Sequence, residues 1–328
     1  MCTSQRNEPG WDTRGGKLDP ARAEVRVPRF SLVITFYNQR DFIRAAVESA
    51  LSQNPSLSKE IILVDDGSTD GSREVLEEYR DEVQLHLLPS NRGPLEARNH
   101  GATQASGQYL VFLDGDDAFM PWALDVYERI IADRKPTVIL GQMRWFEGTM
   151  PTVKAEDVPH QIQFVEYKGL FRKDRGVNLS ASTYIVDRQA FWDVGGWSEG
   201  IFQMDLADLS AKLGLMPTAL ICAPQTVFYR IHKGNSIHTV PPFVKNLYRL
   251  LGKERAGEYP GGQEYKMDRR VWFGGLFAFW IKRAVRAGLY KDAAGLMLTG
   301  WTMVLAAVVR RATTVIRGRR PIETMNLL

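Results

Sequence analysis

Short apolar runs separated by segments of helical periodicity organise the first half of this 328-residue chain. Phe30 to Phe36 is apolar and β-branched throughout, the composition of a buried strand. Phe42, Ile43, Ala46, Val47, Ala50 and Leu51 then recur at helical spacing, with Asp41 placed to cap that helix. Ile61 to Val64 predicts a second strand, followed by a turn-rich loop and a helix through Val75, Leu76 and Tyr79. Val83 to Leu88 predicts a third strand, and Pro94 to Ala105 a helix that tolerates proline in its first turn. A fourth strand covers Tyr109 to Leu113, Pro121 opens a helix through Ala132, and Thr137 to Leu140 makes a fifth strand.

Strands alternating with helices require crossover connections and therefore a mainly parallel sheet covered on both faces. Ligands of such sheets bind beyond the carboxyl ends of the strands. Three polar clusters fall at those ends: Thr35-Tyr37-Asn38, Asp65-Asp66, and Asp114-Asp116 with Asp117. Clustered carboxylates repel one another unless a cation neutralises them, and a divalent ion with oxygen ligands does so. Taken alone, the last cluster also fits a solvated acidic turn; three clusters at three strand ends point to one crevice.

Composition narrows the setting. The hydrophobic fraction of 44% and charged fraction of 24% are those of a globular protein, and the net charge is only +4. The basic excess is local: residues 310–320 hold five arginines and no acid, which suits anionic headgroups or solubility rather than nucleic-acid reading, so no nucleic-acid partner is expected. Cys2 and Cys222 offer neither a disulfide framework nor metal-type spacing. Met1 to Arg29 is rich in Arg, Gly, Pro, Asp and Glu with no signal-type apolar stretch, and reads as a flexible leader of a cytoplasmic protein.

Four motifs occur in order: Ser31-Leu-Val-Ile-Thr-Phe-Tyr37-Asn38, Ile62-Leu-Val-Asp65-Asp66-Gly-Ser-Thr-Asp70, Asn91-Arg-Gly-Pro-Leu-Glu-Ala-Arg98-Asn99 and Phe112-Leu-Asp114-Gly-Asp116-Asp117. Together they resemble the family 2 glycosyltransferases, which use nucleotide-diphospho-sugars and have the GT-A fold. The resemblance is close over residues 30–120 and weaker to about 238. It implies an α/β, Rossmann-like, mainly parallel mixed sheet with helices on both faces. It places Thr35, Tyr37 and Asn38 on the donor nucleotide, Asp66 on its base, and Arg98 near the diphosphate. Asp114 matches the sugar-contacting member of the DxD motif and Asp116 the metal ligand, with Mg²⁺ or Mn²⁺ as the ion. Asp117 orients Asp116 or the loop.

The second half resembles the family less. Ser182 to Glu199 leads to a Gly195-Gly196-Trp197 turn, and Tyr229-Arg230-x-His232 resembles a family segment in which His232 completes the metal shell or touches the diphosphate. The family's Glu-Asp pair, one member of which is the general base, is replaced by Met204-Asp205-Leu206. Two registers place Asp205 differently on that pair, and Asp208 lies three residues along on the same helical side. Asp205 is the preferred base and Asp208 the alternative. With the base departed from the family pattern, a non-catalytic nucleotide-sugar-binding or scaffold protein is the rival. A nucleotidyltransferase is disfavoured because Thr35 to Arg40 lacks a glycine-rich loop.

Residues 245–270 are polar, with Gly257, Pro260, Gly261 and Gly262. Val271 to Leu289 is aromatic and basic, and Ala293 to Val309 runs 17 residues without a charge. That length is at the lower limit for crossing a bilayer. The alternatives are an interfacial helix pair on the inner membrane face and helices packed on the domain or on a second subunit. The expected organisation is a flexible leader over 1–29, a GT-A domain over 30–240, a linker or loop over 241–270 and a helical, basic extension over 271–328. The expected function is inverting transfer from a nucleotide-diphospho-sugar, UDP-sugar favoured, to a hydroxyl of a glycan or glycolipid acceptor.

Overall fold

The computed structural model describes residues 27–176, 178–235 and 240–327. The expected leader falls outside the described residues except for its last three positions. The apolar run at the start of the sequence forms β1 (Phe30–Phe36), followed by α1 (Ile43–Leu51), β2 (Lys59–Asp65), the one-turn α2 (Ser72–Val75), β3 (Gln84–Leu87), α3 (Pro94–Gln104) and β4 (Tyr109–Asp114). Next come β5 (Ala118–Phe119), α4 (Ala123–Arg134), β6 (Val138–Leu140), β7 (Met143–Glu147) and β8 (Gln161–Tyr167). β9 (Tyr184–Asp187), α5 (Arg188–Asp193), α6 (Asp205–Lys212), β10 (Thr218–Ala223) and β11 (Val227–Ile231) follow. The chain closes with α7 (Pro241–Ala256), α8 (Lys266–Arg286), α9 (Tyr290–Arg317) and β12 (Glu323–Asn326).

Nine strands form one sheet in the order β12-β8-β10-β6-β9-β4-β1-β2-β3. β3, β2, β1 and β4 are mutually parallel, as the crossover pattern requires, while β9 runs antiparallel between β4 and β6. Alternate residues of each strand feed opposite cores. Leu32, Ile34, Leu63 and Val111 pack beneath α1 and α4, whereas Val33, Ile62, Val64 and Phe112 pack beneath α3, α5 and Trp197. β5, β11 and β7 make a small second sheet beside the carboxyl end of β4. The expected α/β class is thus the class adopted, with a C-terminal helical region attached.

Two expectations need correction. Asp41 does not cap α1: the cap position is Phe42, and the Gln39 carbonyl accepts the Phe42 and Ile43 N–H groups (both 2.9 Å). Half of the segment expected as a linker over 241–270 is α7. Its Phe243, Val244, Leu247, Leu250 and Leu251 are buried at helical spacing in a third core shared with α6, α8 and α9. Interspersed Lys, Arg and Asn residues mask that stripe in the sequence, and Gly257 at φ 76° ends the helix.

Candidate active site

The acidic cluster sits where β4 ends. Gly115 separates Asp114 from Asp116, and a Cβ there would overlap Phe36 and the Gln39 side chain; only glycine lets the carboxyl ends of β1 and β4 lie this close. The Gly115 N–H donates to the Thr35 carbonyl at 2.9 Å, which fixes the turn. Ser182, in the turn before β9, accepts the Asp114 N–H (3.1 Å) and donates to Asp117 (2.6 Å). The other Asp117 oxygen accepts the Arg230 N–H at 3.0 Å. Burial, then the charges of Asp116 and Asp114, hold the Asp117 carboxyl well above the ordinary aspartate range. Asp117 is therefore a buried support of the turn.

Arg98 occupies the middle of the site. It projects from α3, is buried, and donates from Nη2 to Asp114 (2.6 Å) and from Nη1 to Asp205 (3.1 Å). Its Nε is buried with no hydrogen-bond partner among the described residues, and the Trp197 ring lies 5.4 Å from the guanidinium carbon. Asn99, the next residue, clamps the Trp197 backbone in both directions, accepting its N–H at 3.0 Å and donating to its carbonyl at 2.8 Å. Gly196, at φ 58°, packs so closely on Asn99 and Phe191 that a side chain would not fit. The paired glycines thus bring the second half of the chain onto α3. Burial raises the Asp114 and Asp205 carboxyls above their usual range, and the Arg98 charge opposes that rise.

The two base candidates part company here. Asp205 is the first residue of α6 and meets Asp114 across Arg98. Asp208 is fully buried, and its oxygens are taken by Lys253 (2.6 Å), Tyr259 (2.8 Å) and Ser198 (2.6 Å). That is a structural ion pair joining α6 to α7, not an open carboxylate.

The remaining expected residues divide in the same way. Asp116 faces His232, with 2.8 Å between its Oδ2 and Nε2. Tyr37 is exposed at the end of β1. Thr35 is buried one register step from Asp65 and opposite Asp114. Asn38, at φ 51°, accepts the Thr69 N–H (2.8 Å) while its own N–H donates to Ser68 (2.9 Å), so it ties two crevice loops together. Asp66 accepts the Arg92 and Gly93 N–H groups, both at 2.8 Å, and so braces the loop that enters α3. Arg230 runs between the Phe42 and Phe146 rings and donates to the Asp116 (3.1 Å) and Gly148 (2.6 Å) carbonyls.

Two parts of the site escape a reading of the sequence. Ser182 opens the stretch that leads to the Gly195-Gly196 turn, but nothing in the sequence marks it as the link between Asp114 and Asp117. Trp145 on β7 is half exposed and lies 5.9 Å, ring to ring, from Tyr229 on β11. Tyr229 precedes Arg230, whose N–H donates to Asp117, and burial first, then the charges of Asp117, Asp114 and Asp116, raise its hydroxyl above the ordinary range. The alternation of Trp145 with buried Phe146 marks a strand with one open face.

Asp116 and His232 present two donor atoms close enough to share one ion. Among the described residues no group of three His, Cys, Asp or Glu side chains forms a complete cage. That donor set fits Mg²⁺ or Mn²⁺, which take one or two carboxylates and fill the remaining positions with water and substrate phosphates.

Comparisons with known proteins give the family and the fold. The putative teichuronic acid biosynthesis glycosyltransferase TuaG of Bacillus subtilis is 38% identical over 105 residues, covering 31% of this chain and 40% of that protein. Such matches span 31–40% of the length of these curated relatives. The structure of TarS residues 1–349 from S. aureus, in complex with UDP-GlcNAc, superposes with a TM-score of 0.57 at 17% identity, covering 89% of this chain and 92% of that one. The mannosyltransferase PcManGT from Pyrobaculum calidifontis, in complex with GDP-Man and Mn²⁺, gives 0.51 at 17% identity over 88% of each chain. These two show the shared fold, GT-A. The glycosyl transferase family 2 model matches residues 31–195, half of the chain and the stretch that carries Asp66, Arg98, Asp114 and Asp116, so this chain belongs to glycosyl transferase family 2.

Proposed function

We propose that the chain is an inverting glycosyltransferase that moves a sugar from a nucleotide-diphospho-sugar, UDP-sugar favoured, to a hydroxyl of a cell-surface or lipid-linked glycan, with Asp205 as general base. The observation that carries this reading is the gathering of Asp114, Arg98 and Asp205 into one hydrogen-bonded row beside Asp116 and His232. The family match ends at residue 195, so what ties Asp205 and His232 to the donor half, beyond the weaker resemblance of their segments, is geometry. That geometry favours a catalyst over the scaffold alternative, which needs no carboxylate at the crevice.

The nucleotide enters between β1, β2 and β4, with the Tyr37 ring open for stacking on the base. Asp114 at the end of β4 contacts the donor sugar and, with Asp205, defines the face from which the acceptor arrives. The acceptor hydroxyl gives its proton to Asp205 as its oxygen bonds to the anomeric carbon. The bond from that carbon to the diphosphate oxygen breaks, and the nucleoside diphosphate leaves with the electron pair. Positioned proton transfer of this kind contributes roughly 10²–10⁴-fold. Burial strengthens Asp205 as a base, while Arg98 fixes its orientation and keeps it ionised. Arg98 is thus a positioning residue, since its guanidinium is occupied by two carboxylates rather than turned to a diphosphate. A Mg²⁺ or Mn²⁺ ion held by Asp116 and His232 would offset the charge of the departing diphosphate. The exposed Trp145 ring beside Tyr229 offers an apolar face on which an acceptor sugar stacks.

Incubating the purified chain with Mn²⁺ and a panel of UDP-, dTDP- and GDP-sugars, and measuring both thermal shift and nucleoside diphosphate release, tests the reading. Stabilisation and turnover with one donor class support it. Stabilisation without release by the chain at any pH or with any acceptor supports the scaffold alternative.

A further inference from the structure

We infer that α9 lies flat on an anionic lipid surface, as an in-plane amphipathic helix rather than a membrane-crossing one. By length and composition α9 is able to span a bilayer: it has 28 residues and a mean hydropathy of 1.6 over its apolar window. The fold does not let it do so. At its first end a three-residue turn joins it to α8, which is locked into the body by the Trp280 ring stacked on Phe243 at 4.1 Å and by the Asp268–Arg172 ion pair. At its other end only residues 318–322 separate it from β12, which pairs antiparallel with β8 at the edge of the main sheet. Five residues reach at most about 18 Å, short of the roughly 30 Å hydrocarbon core. Along its length the helix is pressed to α8: a Cβ on Gly274 would collide with the Met303 carbonyl, and one on Gly300 with the Phe277 ring. Both ends of α9 therefore stay on the protein's side of any membrane.

The outer face of this anchored helix is apolar. Leu298, Trp301, Leu305, Val308, Val315 and Ile316 share one side at 3.6 residues per turn, and they are exposed by 79%, 57%, 54%, 57%, 70% and 83%. No charged residue interrupts that stripe, which extends for roughly 27 Å at 1.5 Å per residue. The inner face, Ala293, Leu296 and Gly300, is buried on α8. Charge decides what covers the stripe. Residues 269–322 contain eleven lysines and arginines and one acid, Asp292. Arg317 and Arg319 are exposed just past one end of the stripe, Arg311 is exposed on its flank, and Lys282, Arg286 and Lys291 are exposed before its other end. Two copies meeting through this face would bring two such basic surfaces together. Anionic headgroups neutralise both ends while the acyl boundary takes up the apolar middle, the arrangement of an interfacial helix.

The test is flotation of the purified full chain with vesicles of equal parts phosphatidylglycerol and phosphatidylcholine, against pure phosphatidylcholine vesicles. The chain is expected to float with the mixed vesicles only, and less so as salt rises. The triple variant Leu298→Gln, Trp301→Gln, Leu305→Gln changes exposed positions and is expected to stay in solution with an unchanged melting temperature. The variant Arg311→Glu, Arg317→Glu, Arg319→Glu is expected to bind the mixed vesicles at least about tenfold more weakly. Equal flotation with both vesicle types, or none with either, overturns the inference. So does a wild-type dimer in light scattering that the glutamine variant converts to monomer while neither protein floats, because the stripe would then be the interface between copies.

Discussion

Arg98 holds Asp205 at 3.1 Å with one guanidinium nitrogen while the other holds Asp114 at 2.6 Å, so a residue of the donor half orients the carboxylate of the acceptor half. The pairing spans more than 100 positions of sequence and is buried from water, where it is screened little by salt. If Asp205 is the base, Asp205→Asn keeps the shape and the hydrogen bond to Arg98 and loses the proton acceptor. The turnover number should fall by roughly 10²–10⁴-fold, while calorimetric affinity for the donor nucleotide stays within about twofold, as expected when only a transition-state interaction is lost. Near-wild-type turnover in Asp205→Asn would assign the base elsewhere.

Arg98 also sets the pH at which that base works. Burial raises the Asp205 carboxyl above an ordinary aspartate, and the neighbouring Arg98 charge pulls it back. Protonation disables a general base, so the turnover number should decline as pH falls through the raised value, above the range near 4 of a free aspartate. In Arg98→Met the opposing charge is gone while the burial remains, so the acid limb of the profile should move to higher pH. Arg98→Lys keeps a charge and loses the fork, so it should recover the pH profile better than it recovers the rate. A role confined to packing would lower activity in both variants without moving the limb.

Asp208 should matter to stability rather than to chemistry. Its carboxylate is fully buried and receives Lys253, Tyr259 and Ser198, with Lys212 at 3.5 Å. Removing one partner of a buried pair leaves the other charge without compensation, at a cost of about 3–5 kcal/mol. Lys253 is one-fifth exposed, which places Asp208→Ala toward the lower end of that range. Urea unfolding should show the lowered midpoint, and turnover per folded molecule should stay near the wild-type value. Asp208→Asn that unfolds normally and is catalytically dead would reverse the assignments of Asp205 and Asp208.

The difference between these two aspartates also shows where reading the sequence stops. Both lie on one side of an amphipathic helix, and nothing local distinguishes them; only α3 and α7, packed from either side, separate the crevice carboxylate from the structural one. The donor half is legible because its signals are local. An apolar strand running into Asp114 and Asp116 identifies a strand end, and the bounds of β1 agree with its apolar run. Helix α7 is hidden by the charged residues between its apolar positions, and β12 by its composition. Glu323-Thr-Met-Asn326 has no strand-like run and pairs because β8 offers an edge. The motifs bring Arg98 to the site but not to its second partner, since Asp205 opens α6 beyond the residues that the family model matches, where the sequence departs from the family's Glu-Asp pair.

Withdrawing divalent ions provides an independent check on the donor half. Asp116 and His232, 2.8 Å apart, are the side chains proposed to share an ion, and neither alone would hold one tightly. Dialysis against EDTA should abolish donor turnover, and Mn²⁺ or Mg²⁺ should restore it. Asp116→Ala should not be restored at any ordinary Mn²⁺ concentration, whereas His232→Ala should be restored at higher Mn²⁺ than wild type requires. Full turnover in EDTA would remove the metal from the reading and leave Asp116 a purely structural role.

Adjacent glycines on α8 should respond in opposite directions. Gly274 faces α9, where a methyl group would strike the Met303 carbonyl and press on Ala307. Backbone cannot rotate away as a side chain does, so Gly274→Ala forces the two helices apart, a strain of about 1–3 kcal/mol or more. Gly275 is exposed, and a methyl group added there would meet nothing within 4 Å. There the substitution only removes backbone freedom from the unfolded chain, and Gly275→Ala should stabilise by about 0.5–1 kcal/mol. Chemical denaturation of the two variants beside wild type measures both signs in one experiment. Because α9 owes its flat course to this close approach, Gly274→Ala should also loosen the helix that carries the exposed stripe, seen as faster amide exchange in α9 than in β1 or β4. Equal stability of the two variants would mean that α8 and α9 are not in tight contact, and the anchoring that keeps α9 on the body would fail with it.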